Sequence, residues 1–291
     1  MSVMTVPSPA GAAPKRAIKT RRMKFNYAPG RVDRHYANDD LIMSHIVAML
    51  SAMFPEGEDF FVRSVRHYAD RITDPDLLEA VKGFTGQETM HGREHRALNE
   101  RLQELGYPTR RVDRLVKSDL ARVERRAPHK VQLAITAALE HYTATLAERL
   151  LSNAQAREML GNGEVRNVLL WHAVEEPEHK AVAFDVYRAV GGTEKMRIRV
   201  MKLMTWSFLL GTIMQTLLSM LADRATYNPV RLARSIKELR RSPFLGKEMV
   251  AAIKDYNRVG FHPNDHDNTE LLDYWTKELF GAEGRLAGNL K

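Results

Sequence analysis

The chain has 291 residues, enough for one large domain or two ordinary ones, and either could bury a sizeable core. It contains no cysteine, which excludes disulfides, zinc–thiolate sites, iron–sulfur clusters and a cysteine nucleophile, and fits a reducing compartment. The net charge of +8 is local: residues 1–30 hold six basic residues and no acid, leaving 38 basic against 36 acidic residues beyond, too even a balance for a body that grips nucleic acid.

In chain order, residues 1–30 read as a disordered basic arm, rich in Ala, Pro and Ser and without the apolar segment of a secretory signal. Residues 31–291 read as a single all-α domain, because period-two alternation and Asn-Gly or Asp-Gly hairpins are missing while helical punctuation is frequent. Residues 38–54 have apolar side chains at helical spacing, and 55–72 continue or restart after Pro55. Asp74 and Pro75 mark a cap and first helical position, and Gly106 marks the end of that long helix. A short basic helix follows, then long helices at 129–153 and 164–190, the latter ending at Gly191-Gly192. An apolar stretch at 194–222 precedes shorter helices at 229–241, 245–257 and 269–280.

Residues three or four apart share a helix face, so Glu88 with His91 and Glu176 with His179 form two Glu-x-x-His pairs on separate helices. Glu58 is followed by Phe60, Phe61 and Val62, and Glu140 sits among Ile135, Ala138, Leu139 and Leu146. A carboxylate on an apolar face costs several kcal/mol unless a cation compensates it, and a metal ion can. The order Glu58, Glu88-x-x-His91, Glu140, Glu176-x-x-His179 resembles the ligand set of ferritin-like di-iron and di-manganese carboxylate proteins. That resemblance covers about residues 40–190 and implies a four-helix bundle, with further C-terminal helices outside it. It also implies two iron ions held by six ligands, with manganese as an alternative in one or both positions.

The stretch "WHAVEEPEH" (171–179) adds His172, one turn before Glu176 and so a candidate seventh ligand. In this it resembles the arylamine N-oxygenase branch, where an extra histidine precedes the last motif by four residues. His172, Glu176 and His179 could then serve one ion from a single helix, provided Pro177 distorts the helix by a kink or bulge. His95 is expected behind the ligands rather than among them, Glu175 and Glu178 outside them, and Tyr68 and Tyr142 are given no role. His262, Asp265, His266 and Asp267 read as turn and cap chemistry.

The phrases "FPEGEDFFVRSVRHY", "DPDLLEAVKGFTGQETMHGREH" and "EEPEHKAVAFDVY" resemble a bacterial family labelled predicted metal-dependent hydrolases, over most of the chain beyond the arm. The ligand order favours instead a di-iron oxygenase that uses dioxygen and an electron-donor reductase to oxidise an apolar or lipid-like substrate. A dinuclear hydrolase is the alternative, and a non-catalytic iron-binding protein the third reading. Glu58, Glu88, Glu140 and Glu176 are the expected catalytic carboxylates. Residues 203–222 run uncharged between Lys202 and Asp223. A helix packed centrally against the bundle is the simplest reading, with a membrane-lying segment or a substrate wall as alternatives. The expected location is cytoplasmic, with peripheral membrane contact and a homodimer both open.

Overall fold

The computed structural model describes residues 17–291, and every named element among them is helical. Helix α1 spans Leu41–Arg66, α2 Pro75–Glu104, α3 Thr109–Arg126, α4 His129–Ser152, α5 Ala154–Glu158 and α6 Glu164–His179. Then follow α7 Val182–Ala189, α8 Glu194–Leu221, α9 Pro229–Arg240, α10 Lys247–Asp255 and α11 Thr269–Phe280. The all-α expectation holds.

Caps set the boundaries. Asp40 accepts from Met43 N at 2.7 Å, and Asp74 accepts from Asp76 N with Pro75 at the first helical position. At the end of α2, Gly106 takes φ +94° while Tyr107 N bonds Leu102 O and Gly106 N bonds Gln103 O. This is a Schellman closure, which only a residue tolerant of positive φ accepts cheaply. Helix α1 passes straight through Pro55 rather than restarting. Proline cannot donate to the carbonyl four residues back, so Ser51 O is released, and Asn99 Nδ2 on α2 takes it at 2.8 Å.

Helix α1 packs along α2 and α3, α4 packs along α6, α7 and α8, and the α1/α2 pair meets the α4/α6 pair. The segment expected as one helix over 164–190 is interrupted at Lys180-Ala181, just beyond Pro177, giving α6 and α7.

Two expectations are corrected. Residues 17–30 belong to the packed body: Met23 and Phe25 are core residues, and Met23 pairs with Leu290 in an isolated bridge. Their apolar side chains have a surface to cover, which composition alone did not reveal. The remainder of the expected arm, residues 1–16, lies outside the described residues. Helix α8 is peripheral, not central. Only 17% of its apolar window is buried, because α1 and α4 cover one face and nothing described covers the other.

Candidate metal centre

Four helices deliver the predicted side chains inward: Glu58 from α1, Glu88 and His91 from α2, Glu140 from α4, and His172, Glu176 and His179 from α6. None of the seven is more than 5% exposed. The structure brings them into two adjoining clusters that share two carboxylates. On one side His179 Nε2 lies 3.0 Å from Glu88 Oε1, 3.3 Å from Glu140 Oε2 and 3.7 Å from Glu176 Oε2. On the other, His172 Nε2 lies 2.6 Å from Glu176 Oε1 and 3.8 Å from Glu58 Oε1, and His91 Nδ1 lies 3.8 Å from Glu176 Oε1. Glu58, Glu88 and His91 also meet at ligand distance. Glu88 and Glu176 therefore stand between the two sides. The expectation that His172 and His179 serve one ion is corrected. Seven residues separate them, about 10 Å along a helix axis, so they flank Glu176 from opposite ends.

Each motif histidine is oriented by the residue that precedes the other motif's glutamate. His91 Nε2 bonds Glu175 Oε2 at 2.9 Å, which leaves Nδ1 facing the cluster. His179 Nδ1 bonds Gln87 Oε1 at 2.8 Å, which leaves Nε2 facing it. Arg21 joins both supports: it donates to Glu175 at 3.1 Å and to both oxygens of Glu178 at 2.8 Å, and Glu178 accepts from Gln87 at 2.8 Å. Such outer partners fix ring orientation and tautomer.

His172 is set by a longer chain. The Asn99 amide donates to Ser51 O, so its Oδ1 accepts from Ser51 Oγ at 2.7 Å. Ser51 Oγ, having used its proton, accepts from His95 Nδ1 at 2.8 Å, and His95 Nε2 then accepts from His172 Nδ1 at 2.8 Å. This polarity leaves Nε2 of His172 facing Glu58 and Glu176, and it meets Glu176 Oε1 in a 2.6 Å hydrogen bond. The carbonyl freed by Pro55 is thus the far end of the device that aims His172. Sequence reasoning missed Arg21, Gln87, Ser51 and Asn99, and the only local signal was that Gln87 and Glu175 occupy matching places before the two motifs.

Rings close the cluster: Phe84 lies edge-on to His179 at 5.1 Å, Trp171 to His91 at 4.9 Å and Phe54 to His172 at 5.1 Å. Burial, reinforced by neighbouring Glu88, pushes the carboxyls of Glu58 and Glu140 well above their usual range. Burial also raises Glu88. Glu176 is driven the other way, because His179 and His172 outweigh its burial. For His179 burial opposes charge, but Glu140 and Glu176 hold the imidazole well above its ordinary value. Burial raises Glu175 to about 7 against the pull of Arg21.

The donor set fits two cations. Both oxygens of Glu58, Glu88 and Glu140, with Glu176 Oε2, His91 Nδ1 and His179 Nε2, are buried and have no hydrogen-bond partner among the described residues. The 3.0 Å approach of His179 to Glu88 brings charges together without hydrogen-bond alignment. Buried polar atoms are normally satisfied, and a cluster of nine unsatisfied ones around four carboxylates calls for positive charge.

Other candidates resolve differently. Asp223 with His35 and His45 could in outline hold an ion. Arg34 Nε already sits 3.2 Å from the same oxygen that the two histidines reach, so a guanidinium fills the cation's place. His262 and Asp265 form a capping box, His262 meets Asp185 and His266 meets Asp255, all outside the metal-competent groups. Tyr68 is core.

No curated protein and no solved structure matches the chain. Residues 19–267, which include all seven candidate ligands and Arg21, match the family described as predicted metal-dependent hydrolase, and the chain belongs to that family.

Proposed function

We propose that this protein is a dinuclear metal-dependent hydrolase whose ions are held by Glu58, Glu88, His91, Glu140, His172, Glu176 and His179. The observation that carries the reading is the pair of clusters sharing Glu88 and Glu176, with their nitrogen and oxygen atoms otherwise unsatisfied. The family description supports hydrolysis over the oxygen chemistry suggested by ligand order. Bound ions would lower the pKa of coordinated water and polarise a carbonyl or phosphoryl group. The chain itself supplies the rest. Glu175 and Gln87 hold the two motif imidazoles, Phe54, Phe84 and Trp171 exclude bulk water, and the His172–His95–Ser51 chain fixes which nitrogen faces the centre. The substrate we propose is apolar or lipid-like: α4, the helix that carries Glu140, also packs on the apolar α8, where Tyr142 meets Phe208 at 5.1 Å.

A di-iron oxygenase in a ferritin-like bundle is the second reading, favoured by the order of ligands along α1, α2, α4 and α6 and by the third imidazole. It would need an electron-donor reductase and dioxygen. Protein loaded anaerobically with zinc, manganese or ferrous iron separates the two. Hydrolysis predicts ester or phosphate-ester cleavage by zinc or manganese protein and a ferrous form inert to oxygen. Transient visible absorption after an oxygen pulse, with no hydrolysis, would replace this reading with the oxygenase.

A further inference from the structure

The outer face of α8 departs from ordinary surface chemistry. Leu203, Trp206, Leu210, Ile213 and Leu217 recur at intervals of three and four, each between 53% and 68% exposed. Leu209, Met214 and Leu218 widen the stripe at 38–55% exposure. A contiguous exposed stripe of eight large apolar side chains is unlike the singly scattered apolar residues of an ordinary monomer surface. Between Glu194 and Asp223 the helix carries no acid, and Arg199 and Lys202, both exposed, stand at the head of the same face. At the other end Arg224 is exposed. Helix α3 reaches α8 through Arg111 and Gln215 at 2.9 Å.

We propose that this face docks the protein on an anionic lipid membrane, with α8 lying in the plane of the interface. The helix cannot span, because Val200, Met201, Thr216, Ser219 and Met220 are buried along its inner side against the body. An amphipathic helix with a wide apolar face and flanking cations has the composition of an interfacial anchor, combining apolar burial with attraction to anionic headgroups. A second copy of α8 is the competing occupant, and charge argues against it. Parallel pairing sets Arg199 and Lys202 against themselves, and antiparallel pairing sets them toward Arg224. Asp223, the acid at that end, is buried and held by Arg34, His35 and His45. Like charges without partners penalise either pairing. The proposal does not depend on the metal centre.

The test is flotation of the full-length chain with vesicles of equimolar phosphatidylglycerol and phosphatidylcholine, beside pure phosphatidylcholine vesicles. Trp206 is exposed while Trp171 and Trp275 are buried, so a blue shift of tryptophan emission on binding reports this face. Binding to the anionic vesicles is expected, with about tenfold loss in Leu210→Asp and in Lys202→Glu and further weakening by salt. Both positions are exposed, and unchanged thermal denaturation shows that the variants fold. Equal binding to neutral and anionic vesicles would overturn the proposal. So would no vesicle binding, whether the chain is monomeric or forms a dimer that Leu210→Asp dissolves, the latter assigning the face to a second copy.

Discussion

On the His179 side of the centre one imidazole faces three carboxylates, whereas on the His91 side two imidazoles face Glu58 and the shared Glu88 and Glu176. The same Glu-x-x-His motif built both sides, yet their supports differ. A carboxylate backs His91 and an amide oxygen backs His179. The lesson is that motif symmetry in the chain does not give chemical symmetry in space. The nitrogen-rich side also carries the buried His95 behind it, and burial followed by His172 pushes His91 and His95 well below ordinary histidine values, which favours the neutral imidazole that a ligand needs at His91.

The strongest way to break this comparison is to remove the shared carboxylates. Glu88→Ala and Glu176→Ala are each expected to abolish binding of both ions, whereas Glu140→Ala keeps about one, on the His91 side, by metal analysis of loaded protein. Equal loss in all three variants would erase the distinction between the sides. Next come the outer supports. Glu175→Ala should weaken the His91 side and Gln87→Ala the His179 side by about 10–100-fold in metal affinity, while Arg21→Ala weakens both. Competitive titration with a chelator resolves the two steps, and a single-step effect of Arg21→Ala would remove its joint role. His172→Ala is expected to leave metal content near normal and to change the reaction rate several-fold, because an outermost nitrogen tunes an ion that other groups already hold. The smallest effect expected is Ser51→Ala: about 1 kcal/mol of stability from the broken chain, read by urea denaturation, with both ions retained. Loss of an ion there would mean that Ser51 does more than set a tautomer.

Much of the centre was legible because helical spacing is a local property. Glu88 and His91 share a face wherever that helix packs, and so do His172 and Glu176. The supports were not legible, because each bond crosses between helices. Nothing near Arg21 in the chain points to Glu175 and Glu178, more than 150 residues away. Residues 17–30 illustrate the same limit, since a basic, Ala- and Pro-containing stretch reads as solvated until Met23 and Phe25 meet a surface that buries them. Helix α8 failed in the opposite sense. Its apolar composition invited a core position, but hydrophobicity states only that a face seeks cover, not which neighbour provides it.

The sequence by itself determined the helices, most of their ends and the seven residues aimed inward, because caps, prolines and 3.6-residue periodicity act within one or two turns. Only the tertiary structure decided the rest. The grouping of those seven side chains into two unequal clusters, the crossing of Gln87 and Glu175 between motifs, the path from Pro55 through Asn99 to His172 and the exposure of α8 all depend on which helices touch. Those contacts follow from burying the whole apolar surface at once, a balance over the full chain that no short stretch encodes.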